Sequence, residues 1–217
     1  MNSFEAVTRT TEHIKSLLSG EGTGHDWWHV HRVWQNAKRI GREEGVDMFI
    51  VELAALLHDI ADWKFHDGDD TAGPRAAHAW LEKIGVDGIV IEHVCMIINE
   101  VSFKGAGVHT TPTTREGKVV QDADRLDALG AIGIARAFAY GGHKNREIYN
   151  PGISPVLHQS FEEYRATVGT TINHFHEKLL LLKGLMNTNA GRRIAEERHR
   201  FMEAYLQRFL QEWDGRR

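Results

Sequence analysis

The sequence predicts an all-α protein, and two observations carry that expectation. Apolar residues recur at helical steps of three and four through most of the chain rather than at every second position. Only four prolines, Pro74, Pro112, Pro151 and Pro155, interrupt 217 residues.

Helices are expected at roughly 4–19, 25–45, 47–62, 71–85, 87–101, 113–139, 154–187 and 189–213. The first ends at the breaker Gly20 to Gly24, and Asp26 offers a side-chain cap for the second. The third is an apolar, small-residue run from Val51 that closes on His58, Asp59 and Asp62. The fifth carries Ile97 and Ile98. The sixth embeds acidic residues among apolar ones from Val119 to Ala128, and the last two read as an amphipathic hairpin. Three connections, Lys64 to Gly73, Ser102 to Thr113 and Gly141 to Ser154, exceed an ordinary helix–helix loop, and long loops on a compact bundle often carry function.

The length fits one domain over 1–217, and no repeat, low-complexity tract or compositional shift marks a linker. Hydrophobic residues make up 41% and charged residues 26%, as in an ordinary soluble globular chain. With 26 basic against 30 acidic residues there is no basic stripe, which argues against duplex nucleic acid as a partner. A single cysteine, Cys95, excludes an internal disulfide framework and fits a small buried hydrophobe in a reducing compartment. The N-terminus lacks the apolar stretch of a signal peptide, and Leu179 to Leu182 is too short to span a bilayer, so no membrane partner and a cytoplasmic location are expected. The C-terminal hairpin can pack on its own core or on a second copy, leaving room for a homodimer.

Fourteen histidines are the unusual number, since imidazole is both a common metal ligand and a proton carrier near neutrality. His29, Arg32, Val33 and Asn36 share one face of the second helix, while His31 points elsewhere. Burying His58, Asp59 and Asp62 at the end of an apolar helix would be costly for unpaired charge, and a bound cation removes that cost. Val120, Asp124, Asp127 and Ala131 share a face of the sixth helix, so either Asp124 or Asp127 could complete a site by helical geometry alone.

A His-x-x-Arg-Val element, a His-Asp pair closing an apolar helix and then Ala-Asp-Arg-Leu resemble, in identity and order, the HD superfamily of metal-dependent phosphohydrolases. The resemblance spans Gly24 to about Ala139, the motif core, with C-terminal helices over about 154–213. Gly24-His-Asp-Trp-Trp-His, Ser102-Phe-Lys-Gly and Tyr140-Gly-Gly are similar to a bacterial subgroup of small HD hydrolases acting on nucleotides.

The resemblance implies an HD-type helical bundle in which His29, His58, Asp59 and Asp124 ligate a divalent ion. It places Asp62 at the position of a catalytic acidic residue, where the family commonly has glutamate. Two imidazoles and two carboxylates leave positions for water and a phosphate oxygen, which suits Mn, Fe(II), Co, Ni or Mg better than Zn. Lys64, Lys104 and Arg125 are candidate phosphate clamps, and Arg32 or Arg125 could instead orient ligands. His93 and His109 are candidates for a second ion, against an ordinary packing role.

The implied activity is hydrolysis of a phosphoester or pyrophosphate bond of a small phosphorylated molecule, a nucleotide by preference. Cleavage of cyclic nucleotides or guanosine tetraphosphate would use the same ligands, and a metal-holding module that senses nucleotides without turnover is the alternative outside the enzymes. Trp27, Trp28 and Trp34 are expected as core and interface aromatics. His143 to Arg146 is expected to be a solvated charge run. No catalytic role is expected for His174, His176 or His199, which fit exposed or partly packed positions.

Overall fold

The computed structural model describes residues 2–19, 26–60, 69, 71–101, 111–156 and 169–216. Among the described residues there is no strand, and the helices are α1 (Ser3–Leu17), α2 (Trp27–Glu44), α3 (Met48–Leu57), α4 (Ala72–Lys83), α5 (Gly88–Val101), α6 (Arg115–Asp127), α7 (Gly130–His143), α8 (Thr171–Glu177), a 3-10 helix (Leu179–Leu185) and α9 (Asn189–Trp213). The fold is all-α, as the periodicity predicts.

Short polar side chains start several of these helices by accepting from backbone amides that have no intrahelical partner. Asn2 caps α1 through the amide of Glu5, and Asp47 caps α3 through Phe49 and Ile50. Asp26 caps α2 through His29 at 2.8 Å, the capping role its position predicts. Gly45 ends α2 in the left-handed conformation, at φ 64°.

The chain falls into two compact units, one formed by α1 to α5 with α6 as far as Asp124, the other running from Arg125 onward. In the first, α3 packs against α1, α2 and α5, and α4 against α5. Val51 and Leu53 through Leu57 of α3 are completely buried, so its apolar surface is covered on every side rather than along one stripe. In the second unit, α9 lies on α7 and the 3-10 helix, and α8 also meets both. Gly141 permits the approach of α8 to α7, because a Cβ there would fall on the Thr171 hydroxyl. No helix among the described residues is long and apolar enough to cross a membrane.

Three boundaries differ from expectation. The helix expected over 113–139 is two helices, because Leu129 is extended and Gly130 takes φ 71°. Arginines bond to backbone carbonyls at that break, Arg198 to Leu126, which also accepts from the Leu129 amide, at 2.5 Å and Arg136 to Asp127 at 3.5 Å. In the span expected as one helix over 154–187, residues 154–156 and 169–170 are not helical. There Thr170 caps a fresh helix through Asn173, and Lys178 then leaves it at φ −142°. The leucine run that follows winds with three residues per turn, so Leu179 and Leu182 are buried on the same side. Finally, α3 stops at Leu57, and His58 to Ile60 form a turn instead of continuing the helix.

Candidate metal centre

The local chain geometry explains how two histidines and an aspartate come together. Asp26 anchors the first turn of α2 by bonding to the amide of His29 itself, and the His29 side chain is 2% exposed. The buried α3, packed against α2, delivers His58 and Asp59 from its C-terminal end. Both side chains are largely withdrawn from solvent.

Three potential donor atoms converge, and a fourth, on Asp124, approaches one of them. His29 Nε2 lies 3.3 Å from His58 Nε2, 3.3 Å from Asp59 Oδ2 and 3.5 Å from Asp124 Oδ1. His58 Nε2 lies 3.5 Å from the same Asp59 oxygen. Each of His29, His58 and Asp59 offers one atom within 4.8 Å of the others.

These separations exceed good N–H···O distances of about 2.7–3.2 Å. They match the edges of a coordination polyhedron, since ligands about 2.1 Å from one ion stand about 3.0–3.4 Å apart. A proton shared between two imidazole nitrogens would leave the Asp59 carboxylate at these longer distances, whereas one cation would serve both imidazoles and Asp59, with the Asp124 oxygen beside His29.

His58 supplies a second indication. Its Nδ1 donates to the Ala55 carbonyl at 2.8 Å, which fixes the proton on Nδ1 and directs the Nε2 lone pair at the cluster. A ligating histidine commonly has its other ring nitrogen held in this way. The donor set therefore fits a divalent cation.

Asp124 and Asp127, which helical geometry leaves as alternatives, have different surroundings. Asp124 is the one whose carboxylate reaches His29. Asp127 is 1% exposed and forms a 2.6 Å ion pair with Arg136. Arg125 donates one N–H to the carbonyl of Leu185 at the end of the 3-10 helix.

Asp62, Lys64, Lys104 and His109 lie outside the described residues. His93 faces Glu116, with Nε2 and Oε2 3.8 Å apart, and its Nε2 has no hydrogen-bond partner.

The three tryptophans of α2 are not equivalent. Trp27 is buried, and Trp34 donates to Glu52 at 2.9 Å with Lys38 over its ring. Trp28 is 60% exposed, so of the core and interface roles expected for these aromatics it does not take the core one. His31 sits among all three rings, at 5.6, 5.9 and 6.1 Å from Trp27, Trp28 and Trp34.

Comparison with known proteins places this geometry. An HD domain model matches residues 27–129, the stretch that contains His29, His58, Asp59 and Asp124. A Bacillus subtilis protein, YpgQ, described as uncharacterized, is 40% identical over 99% of this chain and 97% of its own length. The chain belongs to the HD superfamily of hydrolases. An HD-superfamily hydrolase from Bacillus thuringiensis superposes with a TM-score of 0.79 at 43% identity, over 98% of this chain and 99% of that one. The crystal structure of B. subtilis YpgQ in complex with ADP gives 0.77 at 37% identity, over 98% and 96%. Membership makes this HD protein a metal-dependent phosphohydrolase, the activity that the His-Asp elements imply.

Proposed function

We propose that this HD hydrolase cleaves a phosphoester or pyrophosphate bond of a nucleotide, with one divalent ion held by His29, His58, Asp59 and Asp124. The observation that carries the reading is the convergence of two imidazole nitrogens and the Asp59 oxygen at 3.3–3.5 Å, with Asp124 Oδ1 3.5 Å from His29 Nε2 and His58 Nδ1 held by Ala55. Nucleotide as substrate class draws support from the ADP complex of YpgQ.

When bound, the ion would polarise a phosphoryl oxygen and lower the pKa of a water toward about 7. Two carboxylates and two neutral imidazoles favour Mn, Fe(II), Co, Ni or Mg over Zn. The chain's own residues do the rest. The Asp26 cap and the buried walls of α2 and α3 hold the imidazoles in place before substrate arrives. Asp62 accepts the proton of the attacking water, a contribution of about 10²–10⁴ in rate for a well-placed base. Lys64, Lys104 and Arg125 neutralise charge on the phosphate.

The test is a matrix of nucleotides against divalent ions, read by release of phosphate or pyrophosphate from protein purified without chelator. Release with at least one of these ions, abolished by EDTA, is the expected result. Stoichiometric metal with no release across mono-, di-, tri- and cyclic nucleotides would replace hydrolysis with nucleotide sensing.

A further inference from the structure

Asp47 and Glu116 stand 69 positions apart in sequence, yet the backbone N–H of Asp47 donates to Glu116 Oε1 at 3.2 Å. Beside that bond, an Arg115 guanidinium N–H donates to the carbonyl of Glu44, the last residue of α2. The other Glu116 oxygen faces His93 of α5, and the Glu116 side chain is 15% exposed. The first turn of α6 is thereby tied to the short connection between α2 and α3.

This joint lies at one end of three helices whose opposite ends carry the converging side chains. α2 bears His29 in its first turn and finishes at Glu44. α3 starts from its cap Asp47 and runs into His58 and Asp59. α6 starts at Arg115 and bears Asp124 in its last turn. From the joint, α3 extends about 15 Å over its ten residues, and α6 about 12 Å over the eight steps from Glu116 to Asp124. At the far end a carboxylate oxygen from each segment comes within 3.5 Å of His29 Nε2.

α2 and α3 are consecutive and pack against each other. α6 arrives from much further along the chain, and the buried Val119, Val120 and Ala123 hold it to the core through contacts that are non-directional. Hydrogen bonds, with their narrow range of distance and angle, define where a helix stops along its own axis. Asp124 depends on that setting more than Asp59 does, because its side chain is 38% exposed against 15%.

We infer that Glu116, assisted by Arg115, is a positioning residue for Asp124, setting the fourth ligand from about 12 Å away along α6. The inference rests on the metal reading above and adds to it a residue outside the donor set.

The experiment measures Mn affinity by calorimetry, and Tm without metal, on full-length protein carrying Glu116→Ala, Glu116→Gln or Thr114→Ala, each alone and combined with Asp124→Asn. Thr114 caps α6 through the amide of Gly117, so Thr114→Ala reports a weakened helix start alone. Glu116→Ala should weaken Mn binding about tenfold, the lower end of the range for residues that support a ligand. Glu116→Gln keeps an acceptor for the Asp47 amide and should bind Mn nearly as the wild type does. Thr114→Ala should lower Tm and leave the Kd unchanged. Combined with Asp124→Asn, Glu116→Ala should have no further effect on the Kd, because the side chain it positions no longer ligates. An unchanged Kd in Glu116→Ala, a failure of Gln to rescue, an equal loss in Thr114→Ala, or an equal loss with and without Asp124→Asn overturns the inference. Should Glu116→Ala not fold, Arg115→Ala removes the other bond of the joint and carries the same comparison with the same outcomes. Wild-type protein that binds no Mn, or a Kd indifferent to Asp124→Asn, overturns the metal reading and this inference together, whereas Mn binding that depends on Asp124 and not on Glu116 overturns only the inference.

Discussion

Exchanging the carboxylate at two positions three residues apart on one helix separates the metal-holding role from a structural one. Asp124 Oδ1 lies 3.5 Å from His29 Nε2, and its side chain is 38% exposed. Asp127 is 1% exposed and paired with Arg136, which is 30% exposed, at 2.6 Å. Removing one partner of a fully buried pair costs about 3–5 kcal/mol. Because water still reaches Arg136 and asparagine still accepts one hydrogen bond, about 2–3 kcal/mol is expected for Asp127→Asn. For a chain of this size, ~1 kcal/mol moves Tm by about 2–4 °C, so apo Tm should drop by about 5–10 °C. Asp124→Asn should leave apo stability within about 0.5 kcal/mol, as at an ordinary partly exposed site.

The response to metal ranks the two variants the other way. At a free ion concentration one hundred times the wild-type Kd, binding stabilises the fold by about 2.7 kcal/mol. Loss of an outer-sphere partner already weakens a metal site about 10–100-fold, and loss of a ligand should do at least as much. A hundredfold weakening leaves only about 0.4 kcal/mol, so Mn should raise the Tm of wild type and Asp127→Asn by about 5–10 °C and that of Asp124→Asn by about 1–2 °C. Thermal melts with and without Mn, alongside calorimetric Kd values, make the comparison. A normal Mn-dependent rise in Asp124→Asn, with that rise lost in Asp127→Asn, would refute the assignment.

Three further outcomes follow from particular residues. Asp62→Asn should retain stoichiometric metal while kcat falls by about 10²–10⁴, and an unchanged kcat would remove Asp62 from the chemistry. Gly130→Ala should lower Tm by about 3–8 °C, since alanine is strained at φ 71° and its Cβ would meet Arg198 Cγ at 3.1 Å; an unchanged melt would contradict that account of the break between α6 and α7. His174 is held down to about 3 by burial, helped by Lys178 and Arg146. The unfolded chain therefore takes up that proton near pH 6.5 and the folded chain only near 3, so the contribution is complete above pH 6.5 and is lost as pH falls from 6.5 toward 3. Urea unfolding at pH 7.5, 6 and 5 should show a shallower loss of stability in His174→Gln than in wild type, and equal slopes would contradict it.

Much of this was legible because the informative signals are local. The apolar run into His58 and Asp59 predicts burial from residue types alone, and Asp26 before Trp27 predicts a cap, here bonded to His29. What stayed hidden depends on partners distant in sequence. Helical spacing puts Asp124 and Asp127 on one face, and only the position of Arg136 on α7 shows why Asp127 is engaged elsewhere. The break at Gly130 is hard to see because glycine within an apolar periodic stretch is compatible with a helix, and the arginines that bond to carbonyls there, 136 and 198, are distant in sequence. The leucines from 179 to 182 fit either a helical or a 3-10 period over so short a run, and burial of Leu179 and Leu182 decided between them. Trp28 looks like Trp27 in sequence and differs from it only in what covers it.

The central claim is that one divalent ion sits among His29, His58, Asp59 and Asp124. Anomalous scattering from a Mn-soaked crystal tests it most directly. A single strong peak about 2 Å from Nε2 of both histidines and from a carboxylate oxygen of each aspartate is the predicted result. A peak that omits these side chains, or their convergence with no peak at saturating Mn, would contradict it.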